Sequence, residues 1–171
     1  MLPPRELCEE IVQAIAQAIR ASPRPHGVCL VATDGGALGD RPAERVASWG
    51  LAVDTGAEPS TWGGRVPGFD QSAMAGEAWA AAYALRAART AAAPVLILID
   101  NLAVHESVAA GLAGSVASRY RSGLRHLAAA TGAESGCITA WVPSLNAAAD
   151  SAASFHEAAA WETESVHRAS A

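Results

Sequence analysis

The chain contains no lysine. All 12 of its fixed cations are arginine, set against 17 acidic residues, and a net charge of −5 argues against a broadly basic nucleic-acid binder. Cysteine is scarce and odd in number. Cys8, Cys29 and Cys137 lie far apart, so a disulfide framework is not expected, and Cys29 and Cys137 fall in strand-like segments suited to buried thiols. No apolar run approaches the roughly 18 residues of a membrane span, the strongest being Val95–Ile99. The N-terminal residues show no basic region followed by an apolar core and a cleavage site. The expectation is an intracellular protein, of cytoplasm or nucleus, with no membrane partner.

What is present describes a folded chain. Its 171 residues are 51% hydrophobic, much of that alanine, which suits one domain with a sizeable core and excludes extended disorder. Residues 5–20 repeat Leu7, Ile11, Ile15 and Ile19 at helical spacing, and Ser22-Pro23-Arg24-Pro25 stops that helix. Residues 1–25 therefore read as an N-terminal helix or connector, and residues 26–171 as the principal domain. Within that domain, residues 28–33, 46–53 and 61–66 read as strands joined by turn-rich segments. A helix over 72–90, with Ser72 as N-cap, leads to a strand at 95–99. Helices over 104–113 and 115–130, a strand at 137–142 and a helix over 146–160 complete the order. This order predicts an α/β fold: a five-stranded mixed sheet, three antiparallel strands then two parallel, flanked by helices.

Four acidic residues stand out by context. Asp34 and Asp100 each end an apolar strand, Glu77 lies early in the long alanine-rich helix, and Asp150 opens the last helix after Trp141-Val142-Pro143. In an open sheet, sites form at strand carboxyl ends. If the first and fourth strands are neighbours, Asp34 and Asp100 face one crevice. Buried carboxylates are costly unless a positive charge compensates them, and divalent cations would do so. An isolated Asp at a strand end is ordinarily a turn former, so it is the joint pattern that carries weight. Phosphodiester hydrolysis suits such a cluster, because two Mg²⁺ ions roughly 4 Å apart can stabilise both the attacking and the leaving oxygen. Mg²⁺ or Mn²⁺ needs only oxygen ligands. In this scheme Asp34 bridges two ions, Glu77 and Asp100 hold the one on the leaving-group side, and Asp150 holds the other.

The segments that carry these acids resemble a ribonuclease H domain of type 1. The matching pieces are TDGG at 33–36, SWG at 48–50, DQSAMAGEAWAAAYAL at 70–85, LILIDN at 96–101 and WVPSLNAAAD at 141–150. Together they assign residues 26–171 to a ribonuclease H-like domain. The stretch GGRVPGFDQSAMAGE further resembles the domains attached to retroelement reverse transcriptases. The resemblance implies cleavage of the RNA strand of RNA–DNA hybrids, with Asp34, Glu77, Asp100 and Asp150 as catalytic metal ligands. It also implies substrate contacts at Gly35, Gly36, Gln71, Ser72 and Asn101, and a partner reverse transcriptase domain in one polyprotein. Little base preference is expected where recognition is by 2′-hydroxyls and groove shape.

Two departures from the family pattern stand out. Many members carry a histidine shortly before the last Asp, where this chain has Ser144-Leu145, as in the archaeal and plant-like subgroup. Met74 and Ala75 replace an asparagine that often precedes the Glu. His105 and His156 are candidate substitutes for the absent histidine, although surface positions suit both better. Arg119, Arg121, Arg125 and His126 form a local basic cluster that reads as a solvated helix face. Trp49, Trp79 and Trp141 read as core anchors. The alternative function is a catalytically idle nucleic-acid-binding or connection module of a larger polymerase or ribonucleoprotein.

Overall fold

A computed structural model of the chain describes residues 7–24, 27–56, 58–68, 70–114, 122–132 and 136–142. The first helix, α1, is Glu9–Ala21. The strands are β1 (Cys29–Leu38), β2 (Val46–Val53), β3 (Ser60–Arg65), β4 (Val95–Ile99) and β5 (Cys137–Trp141). Between them stand α2 (Ala73–Ala91), α3 (Leu102–Leu112) and α4 (Ser122–Thr131). The sheet order is β3-β2-β1-β4-β5, with β1, β2 and β3 antiparallel and β4 and β5 added parallel to β1. The five-stranded mixed sheet read from the sequence is thus the observed one, and β1 and β4 are neighbours. The segments expected over 115–121 and 143–160 lie outside the described residues.

One strand differs from expectation in a way that matters. β1 does not stop at Thr33 but runs on through Asp34, Gly35 and Gly36 to Leu38, because β2 pairs with it along that whole length. Gly35 and Gly36 are strand residues, and neither has a positive φ. The parallel partner is shorter. β4 reaches only Ile99, opposite Thr33, so from Asp34 onward β4 no longer pairs with β1.

The helix α2 lies on β1 and β2, with α1 and α4 against its other sides. It is buried nearly all round, which explains why its sequence is mostly alanine: small side chains allow neighbours to close in on every face. Val12, Ile15, Ala16 and Ile19 of α1 join the same core as the sheet. Tyr83 on α2 stacks on Trp49 of β2 at 4.2 Å between ring centroids, and its hydroxyl accepts the Cys8 N–H at 2.9 Å. An exposed pair, Arg86 and Glu9, joins the two helices at 3.0 Å.

Candidate metal centre

Asp34, Glu77 and Asp100 meet at the place where β4 ends and β1 continues. One carboxylate oxygen from each lies within 4.8 Å of the others. Strand alternation sends Asp34 to the face opposite Gly35, whose Cα faces α2. Glu77 is brought in by an unusually close crossing of helix and strand. A Cβ on Gly35 would lie 2.1 Å from the Glu77 backbone nitrogen, and one on Gly76 would lie 2.3 Å from the Ser48 carbonyl oxygen. Only glycine at both positions lets α2 sit this near the sheet. Gly76 was not singled out from the sequence. Its signal was a glycine inside an alanine helix, where it costs about 1 kcal/mol of helix propensity and so implies a packing reason.

The electrostatics of the cluster are those of an uncompensated site. Glu77 is only 6% exposed. Burial, then a hydrogen bond with Asp34 and the charge of Asp100, push its carboxyl from 4.5 up to about 10. Without a cation Glu77 therefore keeps a proton at neutral pH. Among the described residues, Glu77 Oε2 and Asp100 Oδ1 are buried oxygens with no hydrogen-bond partner. Orphaned buried acceptors of this kind are rare, and a bound cation would satisfy both. The donors are all oxygen, which suits a hard cation such as Mg²⁺ or Mn²⁺. The three residues fit such an ion. Asp34 is further held by the Gly35 N–H, which donates to its Oδ1 at 2.9 Å.

The other residues singled out from the sequence fall in different places. Asp150, the fourth acid, lies outside the described residues, as do His156, Arg119 and Arg121. Gln71 uses its carboxamide on the backbone: Oε1 accepts from Ala47 N at 2.8 Å, and Nε2 donates to Val66 O and Gly68 O at 2.7 and 2.9 Å. It thereby fixes the turn that launches α2. Ser72 caps α2, its hydroxyl oxygen accepting from Ala75 N at 3.1 Å. Asn101 caps α3 in the same way through Val104 N at 3.0 Å. His105 is turned to β5, with Nδ1 3.3 Å from the Thr139 hydroxyl. Trp49 and Trp79 are core residues as expected, but Trp141 is not: it is 46% exposed, at the end of β5, the outermost strand of the sheet among the described residues. Its indole N–H donates to the Asp100 carbonyl at 2.8 Å.

This strand order, with α2 crossing β1 at the acidic cluster, defines the ribonuclease H fold. Solved structures that share it include the foamy virus ribonuclease H domain, at a TM-score of 0.63 and 20% identity, covering 77% of this chain and 94% of that one. The N-terminal ribonuclease H domain of a Mycobacterium tuberculosis protein matches at 0.57 and 22%, over 80% of this chain and 97% of that one. A ribonuclease H1 isolated from compost matches at 0.60 and 17%, over 78% and 98%. The chain also matches the prototype foamy virus protease–reverse transcriptase at 0.62 and 20% identity, spanning 22% of that protein's length. At these identities the likeness establishes the fold. No protein-family profile and no curated protein matches the sequence. Among the described residues, no helix is long and apolar enough to cross a membrane.

Proposed function

We propose that this protein is a divalent-metal-dependent endoribonuclease that hydrolyses the RNA strand of RNA–DNA hybrids, acting as the ribonuclease H domain of a retroelement-type reverse transcriptase. The observation that carries this reading is the convergence of Asp34, Glu77 and Asp100, with two buried oxygens left without partners, in a fold shared with ribonuclease H domains. One structure of that fold is a foamy viral protease–reverse transcriptase in complex with an RNA/DNA hybrid, which covers 92% of this chain at a TM-score of 0.62.

In this reading Asp34, Glu77 and Asp100, with Asp150 as the fourth acid, hold two ions of Mg²⁺ or Mn²⁺. When bound, the ions supply Lewis-acid activation of water and neutralise charge on the leaving oxygen. The chain's own part is to orient and to exclude. Asp34 is held by Gly35 N–H, and Glu77 releases its proton when the cation compensates its burial. Gly36, two residues along β1 from Asp34, and the turn at Gln71 that precedes α2 offer backbone to the 2′-hydroxyls of the RNA strand, which distinguish it from DNA. Because the Gln71 carboxamide is already committed to backbone, its contribution to substrate is to set that turn. The Ser72 hydroxyl, at the N-terminus of α2, suits a phosphate of the DNA strand.

The test is cleavage of a labelled hybrid beside RNA–RNA and DNA–DNA duplexes, in Mg²⁺, Mn²⁺ and EDTA. RNA-strand cuts should appear in the hybrid alone, require metal, and vanish in Asp34→Asn and Asp100→Asn. Metal-dependent hybrid binding without cutting would identify an idle binding module. Cutting that survives EDTA would refute the metal centre.

A further inference from the structure

We propose that Trp141 is a positioning residue of the metal centre: its indole N–H pins the backbone of Asp100 so that the Asp100 carboxylate stays aimed at Asp34 and Glu77. The inference rests on the metal-centre reading above and adds a residue to it.

Asp100 occupies a junction that neither neighbouring element holds. β4 ends at Ile99 and α3 begins at Leu102, so the Asp100 carbonyl belongs to neither the sheet ladder nor the helix. The residues on either side are tied down. Ile99 O accepts from Val142 N at 3.0 Å and Asn101 O from His105 N at 2.9 Å, while the Asn101 side chain caps α3. The hinge left between them is the Asp100 peptide, and its carbonyl is the atom that receives the Trp141 N–H at 2.8 Å. Trp141 is in register with Ile99 across β4 and β5, so the indole needs only to fold over the strand end to reach it.

The side chain is poorly placed for any bulk role. Burial is the usual reason for tryptophan, and this one is 46% exposed. A bond that locks a ligand-bearing peptide gives a tryptophan a reason to be there. Rotation of that peptide would swing a carboxylate, and small hard cations tolerate little ligand displacement. By covalent geometry the indole nitrogen lies within about 8 Å of the Asp100 carboxylate, near enough for a paramagnetic ion to quench its emission.

The experiment uses the full chain and Mn²⁺ as probe, followed by calorimetry and by tryptophan emission. Trp141→Phe keeps the ring and removes the donor. We expect Mn²⁺ affinity to fall by roughly three- to tenfold, the equivalent of one lost hydrogen bond. The part of the Mn²⁺-dependent quenching that Trp141 contributes should disappear, leaving that of Trp49 and Trp79, and kcat on hybrid should fall at fixed Mn²⁺ with KM unchanged. In an Asp100→Asn background the same substitution should have no further effect on residual affinity, since the two residues act as one unit. Unchanged Mn²⁺ affinity in Trp141→Phe overturns the proposal. An equal loss in both backgrounds also does, because it marks general structural damage. A raised KM with unchanged Mn²⁺ affinity overturns it as well, making the indole a nucleic-acid contact. A parent protein that binds no Mn²⁺ fails the metal-centre reading itself, an outcome distinct from the other three.

Discussion

Replacing Gly76 with alanine sets two physical effects against each other with opposite signs. Gly76 is interior to α2, where alanine is favoured over glycine by about 1 kcal/mol of helix propensity. On that ground alone Gly76→Ala would stabilise the protein. The tertiary contact says otherwise. The new methyl would lie 2.3 Å from Ser48 O and 3.1 Å from both Gly35 Cα and Gly36 N, where ordinary contact begins near 3.4 Å. All three blocking atoms are backbone, so no side chain can rotate away. The helix must lift from the sheet by about 1 Å, and overpacking of this kind costs roughly 1–3 kcal/mol. Taking the upper part of that range, because the clash is with a buried sheet, the net loss is about 2 kcal/mol. For a domain of this size that is a Tm lower by roughly 4–8 °C. The displacement also draws Glu77 away from Asp34, so Mn²⁺ affinity should fall with stability. Urea unfolding and thermal melts, each with and without Mn²⁺, measure both. A Gly76→Ala protein as stable as the parent, or more so, would refute the close crossing that assembles the site.

Glu77 yields a pH signature in the metal-free protein. Folded, it keeps its proton up to about pH 10, whereas the unfolded side chain loses it near 4.5. Between those values the folded state binds more protons, so stability is greatest at low pH and declines as pH rises, by on the order of 3 kcal/mol at pH 7. Melts in EDTA from pH 5 to 9 should show Glu77→Gln increasingly more stable than the parent, and saturating Mg²⁺ should remove the gap; a flat parent profile would contradict the burial of an ionisable Glu77. In α1, Ile15 is fully buried in the shared core, so Ile15→Ala should cost about 2–4 kcal/mol by urea unfolding. A loss under 1 kcal/mol would show that the helix is not integral. Cys29 and Cys137 are buried, with Cys137 pushed up to about 11, and Cys8 is exposed. A thiol reagent should therefore titrate one cysteine in native protein and three in denaturant.

Much of the sheet was legible because its signals are local. Val95–Ile99 is an uninterrupted apolar run closed by Asp100, and it forms β4 with those bounds. Ser72 announced the start of α2 by its capping chemistry, and it caps α2. The end of β1 was not legible, since the apolar run closes at Thr33 and only the pairing with β2 carries the strand on to Leu38. Trp141 reads as core because tryptophan usually is, and nothing in the sequence tells that its strand is the outermost of the described sheet. The side-chain bonds of Gln71 and Asn101 to backbone were not legible either, since their partners are set by the fold around each turn.

The sequence by itself determined the order of strands and helices and the identities of the acids, because hydrophobic period, caps and turn residues act over a few neighbours. It did not determine that Asp34, Glu77 and Asp100 share one site. That follows from distances between segments more than 20 residues apart, and those distances were decided by pairing and packing. β4 is shorter than β1, so a gap opens beside Asp34. Gly35 and Gly76 have no Cβ, so α2 can bring Glu77 to that gap. The charge of the site is likewise a tertiary property, since a glutamate becomes an acid of about 10 only when the fold removes its water and sets two other carboxylates against it.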